Sequence, residues 1–268
     1  MVIETTPTDC PQAQMLFSSM DHHLFVAASF AGYHPVRLFV DNLEQPRAAC
    51  VWSGQRGYIA GSLQPQTFPE ALLSAVFDNM PASIRLYAPD EEWERFIQER
   101  VPRDKSVKRG YRQYYACTPE ARTVSRPLSD EISIVRLDMP LLRQDMKGEN
   151  HHLIEAAIAS TNPSYEVFQD KGWGICALHV IPGHRNYAGW CLAENSVQGR
   201  CEVGIKTLPD FQRQGIATAM ANQFVSTAYD LGLSQLGWHC WKDNIASANT
   251  ALKAGFHLER EYTLLVIE

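Results

Sequence analysis

The junction between a strand-like run and a long helical run places the strongest constraint on the fold. The stretch KTLPDFQRQGIATAMANQF, residues 206–224, passes from one to the other. Apolar spacing predicts a helix from about Phe211 to Leu231, with Gly232 as its stop signal. Gly215 then falls in the first helical turn, where glycine is a poor helix former, so its presence needs a physical reason.

Two interpretations of Gly215 are open. A helix N-terminus carries free N–H groups and a partial positive charge that attract phosphate, and a missing side chain lets a diphosphate approach the backbone. Gln212 and Arg213 would add donors at the rim of such a cradle, and the small Ala217 would keep the approach open. Alternatively, Gly215 packs closely against a neighbouring element, since short glycine motifs recur by chance.

The order of elements around this junction predicts an α/β fold. Periodicity in the second half indicates a strand, a helix, three strands, the long helix, a short strand, a capped helix and a closing strand. These runs are EISIVRLD, ENHHLIEAAIAS, WGICALHVI, YAGWCLAE, RCEVGIKT, the helix after Phe211, LGWHCW, NIASANTALKAGF and LEREYTLLVI. Gly183 and Asn195 are predicted in the turns between the three strands, and Asn244 and Gly255 at the ends of the last helix. We expect a mixed central sheet with helices on both faces.

The segment TPEARTVSRPLS, residues 118–129, carries two prolines and is interpreted as a connection. We therefore divide the chain into an N-terminal accessory α/β domain, residues 1–127, and a second domain, residues 128–268. In the first part, HLFVAASFAG and RAACVWSGQRGYIAGS are predicted as strands with a turn, and SIRLYAP as a further strand. FPEALLSAVFDNM and DEEWERFIQERV are predicted as helices. Internal sequence repeats are not apparent.

Composition excludes several classes of function. The 268 residues carry a net charge of −6 and show no basic face, which argues against a nucleic-acid partner. The seven cysteines form no C-x-x-C pair, and no signal peptide, membrane-spanning run or metal-ligand motif is visible. We expect a cytoplasmic protein with reduced thiols, no metal and no membrane partner. The oligomeric state is left open, a homodimer being compatible with the sequence.

The combined features resemble the GNAT superfamily of acetyl-CoA-dependent N-acetyltransferases, whose signature is Q/R-x-x-G-x-G/A at the start of the central helix. Residues 212–217, QRQGIA, match this signature, and the resemblance covers about Glu131 to Glu268. CEVGIKTLPDFQRQGIA, WHCW and DNIASANTALKAGF are similar to the zwittermicin-resistance-like group, whose members carry an extra N-terminal domain. The resemblance implies acetyl-CoA as co-substrate and a small-molecule primary amine as acceptor, with an amine-bearing antibiotic as one candidate.

The resemblance also implies a set of residues that bind acetyl-CoA. The strand before the motif would bond the pantetheine arm, the helix start would bind the diphosphate, and the second helix would approach the arm. The matching residues are Ile205, Lys206 and Thr207; Gln212, Arg213, Gln214, Gly215, Ile216, Ala217 and Thr218; and Asn244 and Ser247. Simple capping also explains Asn244, and Ser247 also fits an ordinary first-turn residue.

Acetyl transfer to an amine needs a neutral nitrogen, and an alkylamine with a pKa of about 10.4 is protonated at neutral pH. Glu202 lies about where many family members have a catalytic glutamate and is the candidate general base, although it also fits a solvated strand residue. The family's usual acid, a tyrosine seven residues after the second-helix asparagine, is replaced by Ala251. We expect direct attack, because no covalent nucleophile is visible. The alternatives are a non-catalytic CoA-binding sensor or scaffold, and an interaction domain that binds no CoA.

Overall fold

Two compact units make up the chain. The computed structural model describes residues 2–78, 80–120, 127–137, 141–142, 150–161, 168 and 172–268. The first unit comprises Met1–Arg112 and Glu261–Glu268, and the second comprises Gln113–Arg260. These units are defined by packing, so the division into functional domains at residues 127 and 128 stays a prediction.

Strands and helices alternate through the described part of the chain. The strands are β1 Ile3–Thr5, β2 Arg37–Val40, β3 Ala48–Trp52, β4 Arg56–Gly61, β5 Ile84–Tyr87, β6 Val107–Cys117, β7 Ile132–Leu137, β8 Gly174–Ile181, β9 His184–Val197, β10 Arg200–Thr207, β11 Gln235–Trp241 and β12 His257–Ile267. The helices are α1 Leu24–Phe30, α2 Thr67–Phe77, α3 Glu91–Gln98, α4 His151–Thr161, α5 Ile216–Asp230 and α6 Ile245–Lys253, with 3-10 helices at Pro11–Met20 and Pro209–Phe211. The α/β class predicted from the sequence is confirmed.

The two units share one order of elements that the sequence does not reveal. In the first, the sheet runs β1-β2-β3-β4-β5-β12, and β4 and β5 are parallel because α2 connects them. In the second, it runs β6-β11-β10-β9-β8-β7, and β10 and β11 are parallel because α5 connects them. Each half of the chain thus passes through a strand, helical turns, three antiparallel strands, a helix, a parallel strand, a helix and a closing strand.

Successive side chains along a strand of the second unit pack against two different helical layers. In β8, Ile175 and Ala177 join the core that contains α5 and α6. Their neighbours Cys176 and Leu178 join the core that contains α4. Because successive strand residues point to opposite faces, α4 and α5 cover opposite faces of this sheet. This confirms the predicted mixed sheet with a helix on each face.

One element of the first half was predicted wrongly. HLFVAASFAG, residues 23–32, was expected to be a strand, but its centre forms helix α1. The Ala31 amide donates to the Ala27 carbonyl, and the Ser29 hydroxyl donates to the Phe25 carbonyl at 2.7 Å. The run is apolar at nearly every position, so neither a period of 2 nor a period of 3.6 stands out. Packing against the 3-10 helix before it then decides the conformation, with the Phe17 and Phe30 rings 5.9 Å apart.

Candidate active site

The parallel strands β10 and β11 separate halfway along their length. Their ladder runs from Arg200 opposite Gln235 to Glu202 opposite Gly237 and then ends. Strand β10 continues to residue 207, held on its other side by the antiparallel ladder with β9. Residues 203–207 therefore turn one row of backbone groups toward the gap between the two strands, which we call the open edge. The open edge contains the three residues predicted to bind the pantetheine arm, Ile205, Lys206 and Thr207.

The turn after the open edge has an unusual backbone. Arg213 has a φ of 62° and Gly215 a φ of 85°, both in the left-handed region. Helix α5 begins at Ile216, so the predicted helix start near Phe211 was wrong, and Gly215 is the N-cap rather than a first-turn residue. The left-handed φ explains this, because glycine adopts it without a steric penalty. A side chain there is uncommon, and Arg213 marks the turn as strained.

Gly215 is not required for close packing within the described residues. A Cβ atom added there would meet only Leu128 Cδ2, at an ordinary 3.7 Å. No side chain in the described part of the chain caps α5, and the first intrahelical bond runs from the Ala219 amide to the Gly215 carbonyl. The amides of residues 216–218 thus precede any intrahelical bond and point out of the helix end. This turn combines an open surface with free donors, as an anion site requires.

Two glutamines hold the turn from within. Gln212 Nε2 donates to the Thr207 carbonyl at 3.2 Å, and Gln214 Nε2 donates to the Asp210 carbonyl at 3.1 Å. Arg213 is exposed between them. The side chain of Ile216 is buried in the core, so that residue can offer a ligand its amide alone, whereas Ala217 and Thr218 are partly exposed.

The second helix begins as predicted. Asn244 Oδ1 accepts from the Ser247 amide at 3.1 Å, which confirms the N-cap. Ser247 is more than an ordinary first-turn residue, because its hydroxyl accepts from Trp238 Nε1 at 3.0 Å and ties α6 to β11. Near the end of the open edge, Thr207 Oγ1 is buried and has no hydrogen-bond partner among the described residues. Such an orphaned hydroxyl is a candidate contact for a ligand.

Glu202 lies where β10 and β11 separate, and it is not solvated. The residue is 8% exposed. Asn195 Nδ2 donates to Glu202 Oε2 at 2.7 Å, and His239 Nε2 lies 3.4 Å from Oε1. A buried carboxylate must be hydrogen-bonded or paired to stay ionised, and the bond from Asn195 meets the first condition.

Sequence reasoning missed the two partners of Glu202. Asn195 was expected in a turn, but it lies within β9, and the turn is formed by Gln198 and Gly199, both with positive φ. His239 faces Glu202, whereas Cys240 lies in the core that contains α5. These two neighbours point to opposite faces of the sheet, so they do not form a Cys–His dyad.

Comparison with known proteins identifies the family. A family model described as GNAT acetyltransferase matches residues 14–265, nearly the whole chain. The protein belongs to the GNAT acetyltransferase family. It is therefore an acyltransferase, and enzymes of this family use acetyl-CoA as co-substrate.

Individual GNAT relatives agree with this assignment. The chain is 22% identical over 233 residues to the protein named uncharacterized N-acetyltransferase YdfB of Bacillus subtilis, covering 86% of this chain and 85% of the relative. Its fold is similar to that of a GCN5-related N-acetyltransferase-like protein from Streptococcus suis, with a TM-score of 0.71, 18% identity and coverage of 98% and 100%. A tandem GNAT protein from the clavulanic acid biosynthesis pathway matches with a TM-score of 0.60, 8% identity and coverage of 99% and 97%.

The first unit has aromatic side chains at the ladder end that corresponds to Glu202 in the second unit. Its parallel ladder ends at Tyr58 opposite Tyr87, the counterparts of Glu202 and Gly237. The two tyrosine rings stack with centroids 4.5 Å apart and an interplanar angle of 6°, so an aromatic contact takes the place of the carboxylate and the glycine. Pro69 in the first turn of α2 has no N–H group, and thus α2 offers fewer free amides than α5.

Other features of this GNAT chain bear on the exclusions made above. The described residues contain no group of three or more histidine, cysteine, aspartate or glutamate side chains arranged to hold a metal ion. None of the helices in the described ranges has the length and apolarity needed to cross a bilayer. The seven cysteines, all within the described ranges, form no disulfide and are buried, and burial raises the pKa of Cys50 and Cys201 far above that of an exposed thiol.

Proposed function

We propose that this enzyme transfers an acetyl group from acetyl-CoA to a primary amine of a small molecule by direct attack. The observation that carries the proposal is the position of Glu202. It is the last residue of β10 paired with β11, so its carboxylate lies where the two strands part and the open edge begins. A base at this point is next to the place where a pantetheine arm laid along the open edge would end.

The residues of this region fit acetyl-CoA, which supplies an activated acetyl thioester. The open edge, which contains Ile205, Lys206 and Thr207, presents one row of backbone groups to the amides of the pantetheine arm, and the orphaned Thr207 hydroxyl adds a polar contact. The amides from Arg213 to Ala217 would hold the diphosphate at the positively polarised end of α5, and Thr218 would add its hydroxyl, with Gln212 and Gln214 holding the turn in shape. Asn244 and Ser247 would approach the arm from α6.

Glu202 supplies the protein's part of the chemistry. Its carboxylate accepts the proton that the acceptor's ammonium group loses, which leaves a neutral nitrogen able to attack the thioester carbon. The C–N bond forms, the C–S bond breaks, and the thiolate takes up the proton released from the new amide nitrogen. Ala251 is fully buried and cannot act as an acid, so the thiolate leaves without help from this position.

The acceptor class rests on two further observations. The resemblance to the zwittermicin-resistance-like group favours a small amine-bearing molecule, an antibiotic among them. The net charge of −6 suits a cationic acceptor better than a nucleic acid. The rival function is a CoA sensor or scaffold without catalysis, and the observation in its favour is the buried, apolar Ala251.

The test is a Glu202→Gln variant measured against a panel of primary amines. We expect acetyl-CoA-dependent thiol release to fall by roughly ten- to a thousandfold, because a general base contributes on that order. Acetyl-CoA at a hundred times its dissociation constant should still raise the unfolding midpoint by about five degrees in both proteins. Glu259→Gln is the matched control. The Glu259 carboxylate also lies 3.4 Å from a histidine, His257, but it is exposed and is distant from Glu202 in the sequence.

Three other results would contradict all or part of this proposal. If wild type and variant both gain thermal stability from acetyl-CoA but release no thiol with any amine, the sensor function is correct. If neither gains stability with CoA or acetyl-CoA, both CoA functions are wrong. If Glu202→Gln acetylates amines at the wild-type rate, Glu202 is not the base.

A further inference from the structure

We infer that Asn195 and His239 are positioning residues that keep the Glu202 carboxylate ionised and fixed. The inference rests on the proposed function, but the contacts that carry it can be tested in the ligand-free protein. It assigns a role to two side chains that neither the family motif nor the sequence pattern singles out.

A β-bulge brings Asn195 to Glu202. In the β9–β10 ladder, Arg200 lies opposite Val197, but Glu202 lies opposite Glu194, so Cys201 faces two residues of β9 instead of one. Bulges of this kind re-aim side chains and are common beside active sites. In a regular strand, Asn195 would point to the face opposite that of Glu194. The extra residue is what allows its amide to reach the Glu202 carboxylate.

The backbone at Asn195 supports a role for its side chain. Its φ is 49°, in the left-handed region, where residues other than glycine are uncommon and asparagine is among the best tolerated. Glycine would meet the backbone requirement more easily than asparagine. A side chain kept in a strained position beside a candidate active site is therefore best explained by what it binds.

The two side chains approach different oxygens of one buried carboxylate. The Glu202 side chain is 11% exposed, as is that of His239. Asn195 binds Oε2, and the His239 ring faces Oε1 from the far side of the cleft. A hydrogen bond to the charged form favours the ionised carboxylate, and a polar ring beside its second oxygen offsets part of the cost of burial.

Other titratable groups lie around this pair. They are Glu194 of β9, directly opposite Glu202 in the ladder; Lys206 of β10, whose Nζ lies over the Trp190 ring; and Tyr114 of β6, whose ring centroid is 4.8 Å from that of His239. Glu194 brings a like charge, which works against a second ionised carboxylate. Asn195 and His239 offset this effect, so removing either should let Glu202 bind a proton at higher pH.

The experiment is a carbon-13 NMR titration of glutamate side-chain carboxyl carbons in the ligand-free protein. The Glu202 resonance is assigned through its loss in Glu202→Gln. We expect its titration midpoint to rise by about one pH unit in Asn195→Gly and in His239→Gln, since each loses a group that favours the charged form. Asn195→Gly also relieves the positive φ, so backbone strain cannot explain a loss of function.

Gln198→Gly is the matched control. Gln198 lies in the turn of the same hairpin with a φ of 52°, and its side chain is exposed. The Glu202 midpoint should stay at the wild-type value in this variant. The acidic limb of kcat/KM for an amine acceptor should move to higher pH in Asn195→Gly, while acetyl-CoA affinity measured by calorimetry stays the same.

The outcomes separate this inference from the proposed function. An unchanged Glu202 midpoint in Asn195→Gly and His239→Gln overturns the inference, even if amines are acetylated. A shifted midpoint in a protein that acetylates no amine supports the inference on positioning and contradicts the proposed function. Equal midpoints in Asn195→Gly and Gln198→Gly, both displaced from wild type, would show a general effect of the hairpin and would also overturn it.

Discussion

At the scale of single residues, Gly215 shows how one backbone angle can shape a site. Its φ of 85° joins the turn after the 3-10 helix to α5 and leaves the first amides of the helix exposed to a ligand. The sequence located this glycine but placed it inside the helix. A left-handed N-cap is not a common helix signal, since side-chain caps such as serine and aspartate are preferred there.

Gly215→Ala should weaken acetyl-CoA binding and lower stability. The left-handed conformation disfavours a Cβ atom by roughly 1–2 kcal/mol, so the free energy of unfolding should fall by about that amount. Gly232→Ala is the control, because Gly232 follows the other end of α5 with a φ of 72° and open space around it. We expect similar stability losses by chemical denaturation in both variants and weaker acetyl-CoA binding only in Gly215→Ala. Equal affinity in the two variants would contradict the assignment of the diphosphate site.

At the scale of elements, the open edge exists because the ladder between β10 and β11 stops before either strand ends. Strands β10 and β11 are each longer than the stretch over which they pair, so their ends diverge. Helix α6 borders the same region and is held by the Asn244 cap and by the bond from Trp238 to Ser247. Ligand contact and helix capping are therefore compatible roles for Asn244.

Substitutions at Asn244 can separate the two roles. Asn244→Ala removes the cap and should lower the free energy of unfolding by about 1 kcal/mol, whereas Asn244→Asp keeps a capping oxygen and should preserve it. Both changes remove the amide donor, so acetyl-CoA affinity should fall in both if the side chain binds the arm. Thermal denaturation and calorimetry check the two effects. Wild-type affinity in both variants would restrict Asn244 to capping.

Elements were predicted accurately where the local sequence marks their ends clearly. RCEVGIKT was predicted as a strand and forms β10 with the same bounds, because its neighbours are clear turn residues. Asn195 was misplaced because an asparagine beside a strand suggests a turn, while a bulge depends on pairing with another strand. Burial of Glu202 and its contact with His239 come from strands more than 30 positions apart in sequence, which no local pattern records.

At the scale of the whole molecule, the described residues form two units with one order of elements. In the first unit, the parallel ladder ends at the stacked Tyr58 and Tyr87, and Tyr87 is also the last residue of β5. In the second unit, β10 and β11 both continue past Glu202 and Gly237, where their ladder ends. The two halves share this backbone order although their sequences show no recognisable repeat.

This contrast predicts a single acetyl-CoA per chain. Among the described residues, only those of the second unit combine an open edge with a left-handed turn and free helical amides, so titration calorimetry should give a stoichiometry near one. Tyr58→Phe, which keeps the stacked ring, should leave that stoichiometry unchanged. Two equivalents per chain would mean that the first unit also binds acetyl-CoA and that its stacked tyrosines move apart.

The sequence by itself determined the α/β class, the position of the motif and the chemistry of the residues along β10, because these depend on short-range periodicity and on residue type. Only the tertiary structure decided that Glu202 is buried, that Asn195 and His239 meet its carboxylate, and that the first half repeats the order of the second. Those properties arise from pairing between distant strands. Local sequence specifies that strands form, but hydrogen-bond register and close packing across the sheet specify which side chains meet.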